Sequence, residues 1–186
     1  VGLSAGAVVA RLYAMSYPKE VAGLVLVDHA FLPARKDDVP AVKTDTVDSP
    51  PVVLSMTPVI VSPEDEPGFD RLPAEARALD RWARSGNPDL PTEDTARRCM
   101  AAAEAASNGR AYPLGRIPLM VIRTENDASG YEELQRHLLS LSRNSREMVA
   151  KGSFHSIEIS RPDVVIAGIR EVIEAVKNHA QLPSRK

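Results

Sequence analysis

A single cysteine in 186 residues removes any internal disulfide framework. That residue, Cys99, sits between Arg98 and Met100 in a helical pattern and reads as a structural or incidental thiol. Excess charge is missing too. The 23 basic and 25 acidic side chains leave a formal net charge of −2, so nothing recommends nucleic acid or an anionic membrane as a main partner. No apolar run approaches the roughly 20 residues that span a bilayer. Internal repeats and low-complexity tracts are absent as well. What is there, 44% hydrophobic and 26% charged residues, is the composition of a soluble folded domain, at a length that suits one core rather than two. The chain opens on Val1, so the lack of a signal peptide says nothing about compartment.

Hydrophobic patterning divides the chain. Residues 7–17 (AVVARLYAMSY) predict a helix closed by Pro18, which cannot continue a helix interior. Residues 22–27 (AGLVLV) form an almost wholly apolar run ending at Asp28, the pattern of a parallel strand buried on both faces. Residues 31–115 hold most of the 15 prolines and an acidic turn, Glu64-Asp65-Glu66. Two helices are expected inside this irregular stretch, over 73–85 and over 92–108, the latter capped by Thr92. Trp82 is expected to pack the first of them down. Regular alternation then resumes: a strand at 117–122, an amphipathic helix at 130–142, a strand at 147–150 and a last helix at 162–176. That helix carries Val165, Ile169, Val172 and Val176 on one face, with Ser160 and Asp163 spaced as a capping box. Alternating strands and helices predict an α/β fold with a mostly parallel sheet of about three strands.

The chemistry is concentrated at the sheet's expected carboxyl edge. Gly2-Leu3-Ser4-Ala5-Gly6 is a G-x-S-x-G directly before a helix. In such a turn the serine is held in strained backbone, small flanking residues relieve crowding on both sides, and the hydroxyl stands at a helix N-terminus. The next amide, Ala5 N–H, is then a candidate oxyanion donor. A serine nucleophile needs a base and a group to orient it. Of four histidines, His137 falls within a helix and His179 in the polar tail, and His29 directly follows Asp28. His155, in the loop Gly152-Ser153-Phe154-His155 between the last strand and the final helix, is the expected base. Asp127, 28 positions earlier in the loop after strand 117–122, is the favoured acid. Asp28 and Glu125 are the alternatives.

These segments resemble the α/β-hydrolase superfamily over residues 1–30 and 113–177. GLSAG is similar to its nucleophile elbow, and Tyr17 to Asp28 to its passage from helix into sixth strand. Arg123 to Asp127 resembles the loop after the seventh strand, with Thr124 where many members have glycine. Gly152 to His155 resembles the Gly-x-Gly-His segment, with Phe154 at the second glycine position. The resemblance implies a Ser-acid-His triad acting on an ester or related acyl substrate, without metal or organic cofactor. The serine speaks against members with an aspartate nucleophile, such as haloalkane dehalogenases and soluble epoxide hydrolases. Residues 31–115 would be a cap-like insertion in one incomplete domain. The first five strands and the loop bearing a second oxyanion donor are expected to precede Val1. A chain lacking them would be inactive alone, or would instead be a non-catalytic binding module using an exposed sheet edge.

Overall fold

The computed structural model describes residues 1–29, 62–85, 93–107, 109–125 and 136–183. Strand β1 (Gly2–Leu3) leads into helix α1 (Ala5–Ser16), and β2 (Leu24–Val27) follows after a turn. A long excursion carries two single 3₁₀ turns (Pro63–Asp65 and Phe69–Arg71) and helices α2 (Ala74–Arg84) and α3 (Glu93–Ser107). Strand β3 (Leu119–Thr124), strand β4 (Ser145–Ala150), the short helix α4 (Ile157–Ser160) and the long helix α5 (Pro162–Lys177) complete the order. The expected helix over 130–142 is described only from residue 136, where 136–139 is helical.

The sheet is parallel throughout, in the order β1-β2-β3-β4. Among the described residues it has four strands rather than about three. Gly2 and Leu3 pair with Leu26 and Val27, and a strand of two residues is too short to leave a periodic signal. All four residues of β2 are buried, as a non-alternating apolar run requires. Its side chains divide between two cores. Val25 and Val27 join Met120 and Ile122 of β3 against Ile157 of α4 and Val165 and Val172 of α5. Leu24 and Leu26 join Leu119 and Val121 against Ala7 and Ala14 of α1 and against Leu138 and Leu141. Helices thus cover both faces, which is what a parallel sheet needs. Helix α3 lies along α1.

Two local expectations fail. Trp82 is 61% exposed and Leu79 65%, so α2 does not use its largest apolar side chains to pack down. The capping box before α5 does not form: Arg161 occupies the N-cap, Asp163 pairs with its guanidinium at 2.7 Å, and the Ser160 hydroxyl donates back to the Ser156 carbonyl. An ion pair two residues apart outcompetes the serine for the same helix end.

Candidate active site

Ser4 stands between β1 and α1 with φ 52° and ψ −120°, a conformation that costs a non-glycine residue of order 1–3 kcal/mol and persists only where its surroundings hold it. Here they do. The Ser4 N–H donates to the Val27 carbonyl at 3.0 Å, extending the β1–β2 pairing by one residue, and the Ser4 carbonyl accepts from Ala7 N–H. Gly2 is needed for this turn: a Cβ there would sit 2.3 Å from the Gly6 carbonyl oxygen. At Gly6 no described atom lies within 4 Å of such a Cβ, so the crowding expected on both sides of the serine is found on one. Ala5 is the first residue of α1, where an amide has no acceptor within the helix.

Asp28 ends β2 beside Ser4. Its backbone φ is 39°, which aspartate tolerates better than most residues, and its N–H donates to Ile122 O at 2.7 Å. Its side chain is 8% exposed and reaches His155, with Asp28 Oδ2 2.5 Å from His155 Nδ1. His155 follows β4, and its imidazole is 61% exposed. The hydrogen bond with Asp28 raises the imidazole above its ordinary value. Burial opposes this, and the charges of Asp28, Glu158 and Glu66 add to it. A carboxylate on Nδ1 keeps the ring proton there in the neutral form, which leaves Nε2 as the accepting nitrogen. The strained serine, the buried carboxylate and the histidine therefore gather at the carboxyl ends of β1, β2 and β4.

Asp127, the favoured acid, lies outside the described residues. Glu125 does not meet the imidazole but accepts from Gly152 N–H at 3.4 Å, at the start of the same loop. His29, next in sequence to Asp28, is buried, while His137 and His179 are exposed and lie outside the strand-end loops. Phe154 is 62% exposed beside the base. Glu66, read from sequence only as part of an acidic turn, is buried. Nothing in an irregular, proline-rich stretch could have announced that. Among the described residues no helix is long and apolar enough to cross a membrane.

Neither protein families nor curated proteins furnish a match to the sequence. Solved structures do. A thermophilic esterase from Thermogutta terrifontis, solved with malate bound, superposes with a TM-score of 0.52 at 22% identity over 94% of this chain. The chain has an α/β-hydrolase fold. It spans 64% of that esterase. A non-heme bromoperoxidase BpoC from Mycobacterium tuberculosis, so described in its structure, gives a TM-score of 0.49 at 17% identity over 95% of this chain and 66% of its own. Ser4, Asp28 and His155 lie just past the ends of parallel strands, at the carboxyl edge of the sheet where open α/β sheets gather their ligands.

Proposed function

We propose that the protein is a serine hydrolase of esters or related acyl compounds, with Ser4 as nucleophile, His155 as base and Asp28 as the carboxylate that orients it. The observation that carries this reading is the 2.5 Å contact between Asp28 Oδ2 and His155 Nδ1, made at the strand end next to a serine with positive φ. Ser4 Oγ attacks the acyl carbonyl and its proton passes to His155 Nε2. The oxyanion that forms takes a hydrogen bond from Ala5 N–H. Collapse expels the alcohol, which leaves with the proton from His155. Water, deprotonated by the same imidazole, then releases the acid and restores Ser4.

The choice of acid is tested by comparing two variants of the native-length protein. Asp28→Asn lowers kcat on a short p-nitrophenyl ester by roughly 10²–10⁴ while the fold survives, and Asp127→Asn costs far less. A crippled Asp127→Asn beside a mild Asp28→Asn would assign the orienting role to the loop after β3.

A further inference from the structure

The loop that carries His155 begins with a hydrogen-bonded turn. Ser153 N–H donates to the Ala150 carbonyl at 3.3 Å, and φ is positive at Gly152, 67°, but not at Lys151. That combination defines a type II turn, whose third residue needs a left-handed backbone. A Cβ on Gly152 would meet no described atom within 4 Å, so the backbone angle calls for glycine and crowding does not. The turn's own bond uses the Ala150 carbonyl and the Ser153 N–H. Both polar groups of the central peptide, Lys151–Gly152, are left to find partners outside it, and each finds a charged one. The Lys151 carbonyl accepts from Arg161 Nη1 at 2.8 Å, and the Gly152 N–H donates to Glu125 Oε2 at 3.4 Å. Glu125 arrives there by register: it directly follows β3, whose last residue, Thr124, pairs with Ala150. Arg161 stands between α4 and α5 and is itself held, with Nε 2.9 Å from Asp163 Oδ1 and Nη2 2.7 Å from Asp163 Oδ2.

We propose that Glu125 and Arg161 are positioning residues for His155, clamping the Lys151–Gly152 peptide at both of its polar ends and so fixing how the loop leaves β4. The proposal rests on the assignment of His155 as base. A type II turn differs from a type I turn chiefly in the orientation of its central peptide, and glycine at the third position tolerates both. The clamp decides between them. The cation faces the carbonyl oxygen and the carboxylate faces the N–H, which matches the peptide dipole. A flipped peptide would turn its oxygen towards Glu125 and its N–H towards Arg161, against both charges. Arg161 closes the far end of the loop as well. Its N–H donates to the Ile157 carbonyl at 2.7 Å, and Ile157 N–H donates to the His155 carbonyl at 3.0 Å. His155 thus lies in a stretch, 151–161, whose two ends are joined by one side chain, and its imidazole must meet a carboxylate that comes from another strand. A drift of about 1 Å in a catalytic group costs up to roughly 10²-fold in rate, so the loop's entry angle matters to the base.

The test follows the His155 imidazole by NMR titration in the native-length protein, together with the rate of Ser4 phosphonylation by a fluorophosphonate. Opening the clamp loosens the bond to Asp28 that raises His155. In Arg161→Met the imidazole therefore titrates at lower pH than in wild type, and labelling at about pH 8 slows by roughly 3–30-fold. Loss of a cation would by charge alone move the titration upward, so the direction of the change separates positioning from charge. Glu125→Ala lowers the titration too. Glu125→Gln, which loses the same charge but keeps an acceptor oxygen, stays closer to wild type. A folded Arg161→Met protein whose His155 titrates at or above the wild-type value overturns the proposal, even if its rate falls. So do Glu125→Ala and Glu125→Gln proteins that titrate alike. Should Arg161→Met lose its native circular dichroism, because Arg161 also stands at the N-terminus of α5, the exposed Glu125 decides. A lower titration in Glu125→Ala than in Glu125→Gln then supports the proposal, and equal ones overturn it. Wild-type protein unlabelled at every pH would contradict the hydrolase reading, while the titrations would still judge the clamp.

Discussion

Ser4 and Asp28 are two of four described non-glycine residues with positive φ, and they lie side by side at the ends of neighbouring strands. Strain at such positions survives only if the lattice of strand hydrogen bonds around it is firm. His155 is raised by its bond to Asp28, so it stays protonated to higher pH than an ordinary histidine near 6.5, and in the proposed mechanism it is the neutral ring that accepts the Ser4 proton. The acid limb of kcat/KM is therefore expected above about pH 6.5, and Asp28→Asn moves it down. An acid limb well below that value in the native protein would contradict the pairing. The same raised value makes His155 stabilise the fold at low pH, an effect lost as pH rises through its folded value. At this scale the sequence was informative about residue types and silent about partners. The strained turn at Ser4 and the position of His155 in a loop after a strand were legible from small residues at predicted strand ends. Which carboxylate turns towards the imidazole depends on loop geometry that spacing does not fix; of Asp28 and Glu125, Asp28 meets it, and Asp127 lies outside the described residues.

Elements were most legible where burial imposed a pattern. The run 22–27 predicted a doubly buried strand because parallel strands have no wet face, and Leu24–Val27 is buried residue by residue. The final helix kept its predicted face, with Val165 and Val172 in the core and Ile169 and Val176 packed against it. Where local side chains compete for a helix end, or where a strand has two residues, pattern gave no warning. The fully buried Leu26 offers a direct check on the two-core architecture. Leu26→Ala is expected to lower unfolding free energy by about 2–5 kcal/mol, measured in urea, because the cavity opens between the sheet and α1. Trp82→Ala, on the exposed face of α2, is expected within about 0.5 kcal/mol of wild type. A Trp82→Ala loss as large as that of Leu26→Ala would mean the helix packs through this residue after all.

At the scale of the whole molecule, the sheet is lopsided. Among the described residues, strand β4 borders one edge and the two-residue β1 the other, and near β1 a groove is lined by Val1, Gly6, Val9, Ala10 and Tyr13. Val1, Val9, Tyr13 and Tyr17 are each exposed by two-fifths or more, with the rings of Tyr13 and Tyr17 5.0 Å apart. Apolar surface next to a short strand edge favours association. The chain is accordingly expected to elute from size exclusion as associated species. A sharply melting monomer would contradict that expectation. The proposed activation of Ser4 as a nucleophile has a more direct measurement. Native protein in an extract of its source is treated with a fluorophosphonate and the adduct is mapped by mass spectrometry after trypsin. Modification is expected at Ser4, on the peptide that ends at Arg11, with labelling abolished and ester hydrolysis reduced by roughly 10³ or more in Ser4→Ala. Labelling at another serine, or labelling that persists in Ser4→Ala, would contradict it.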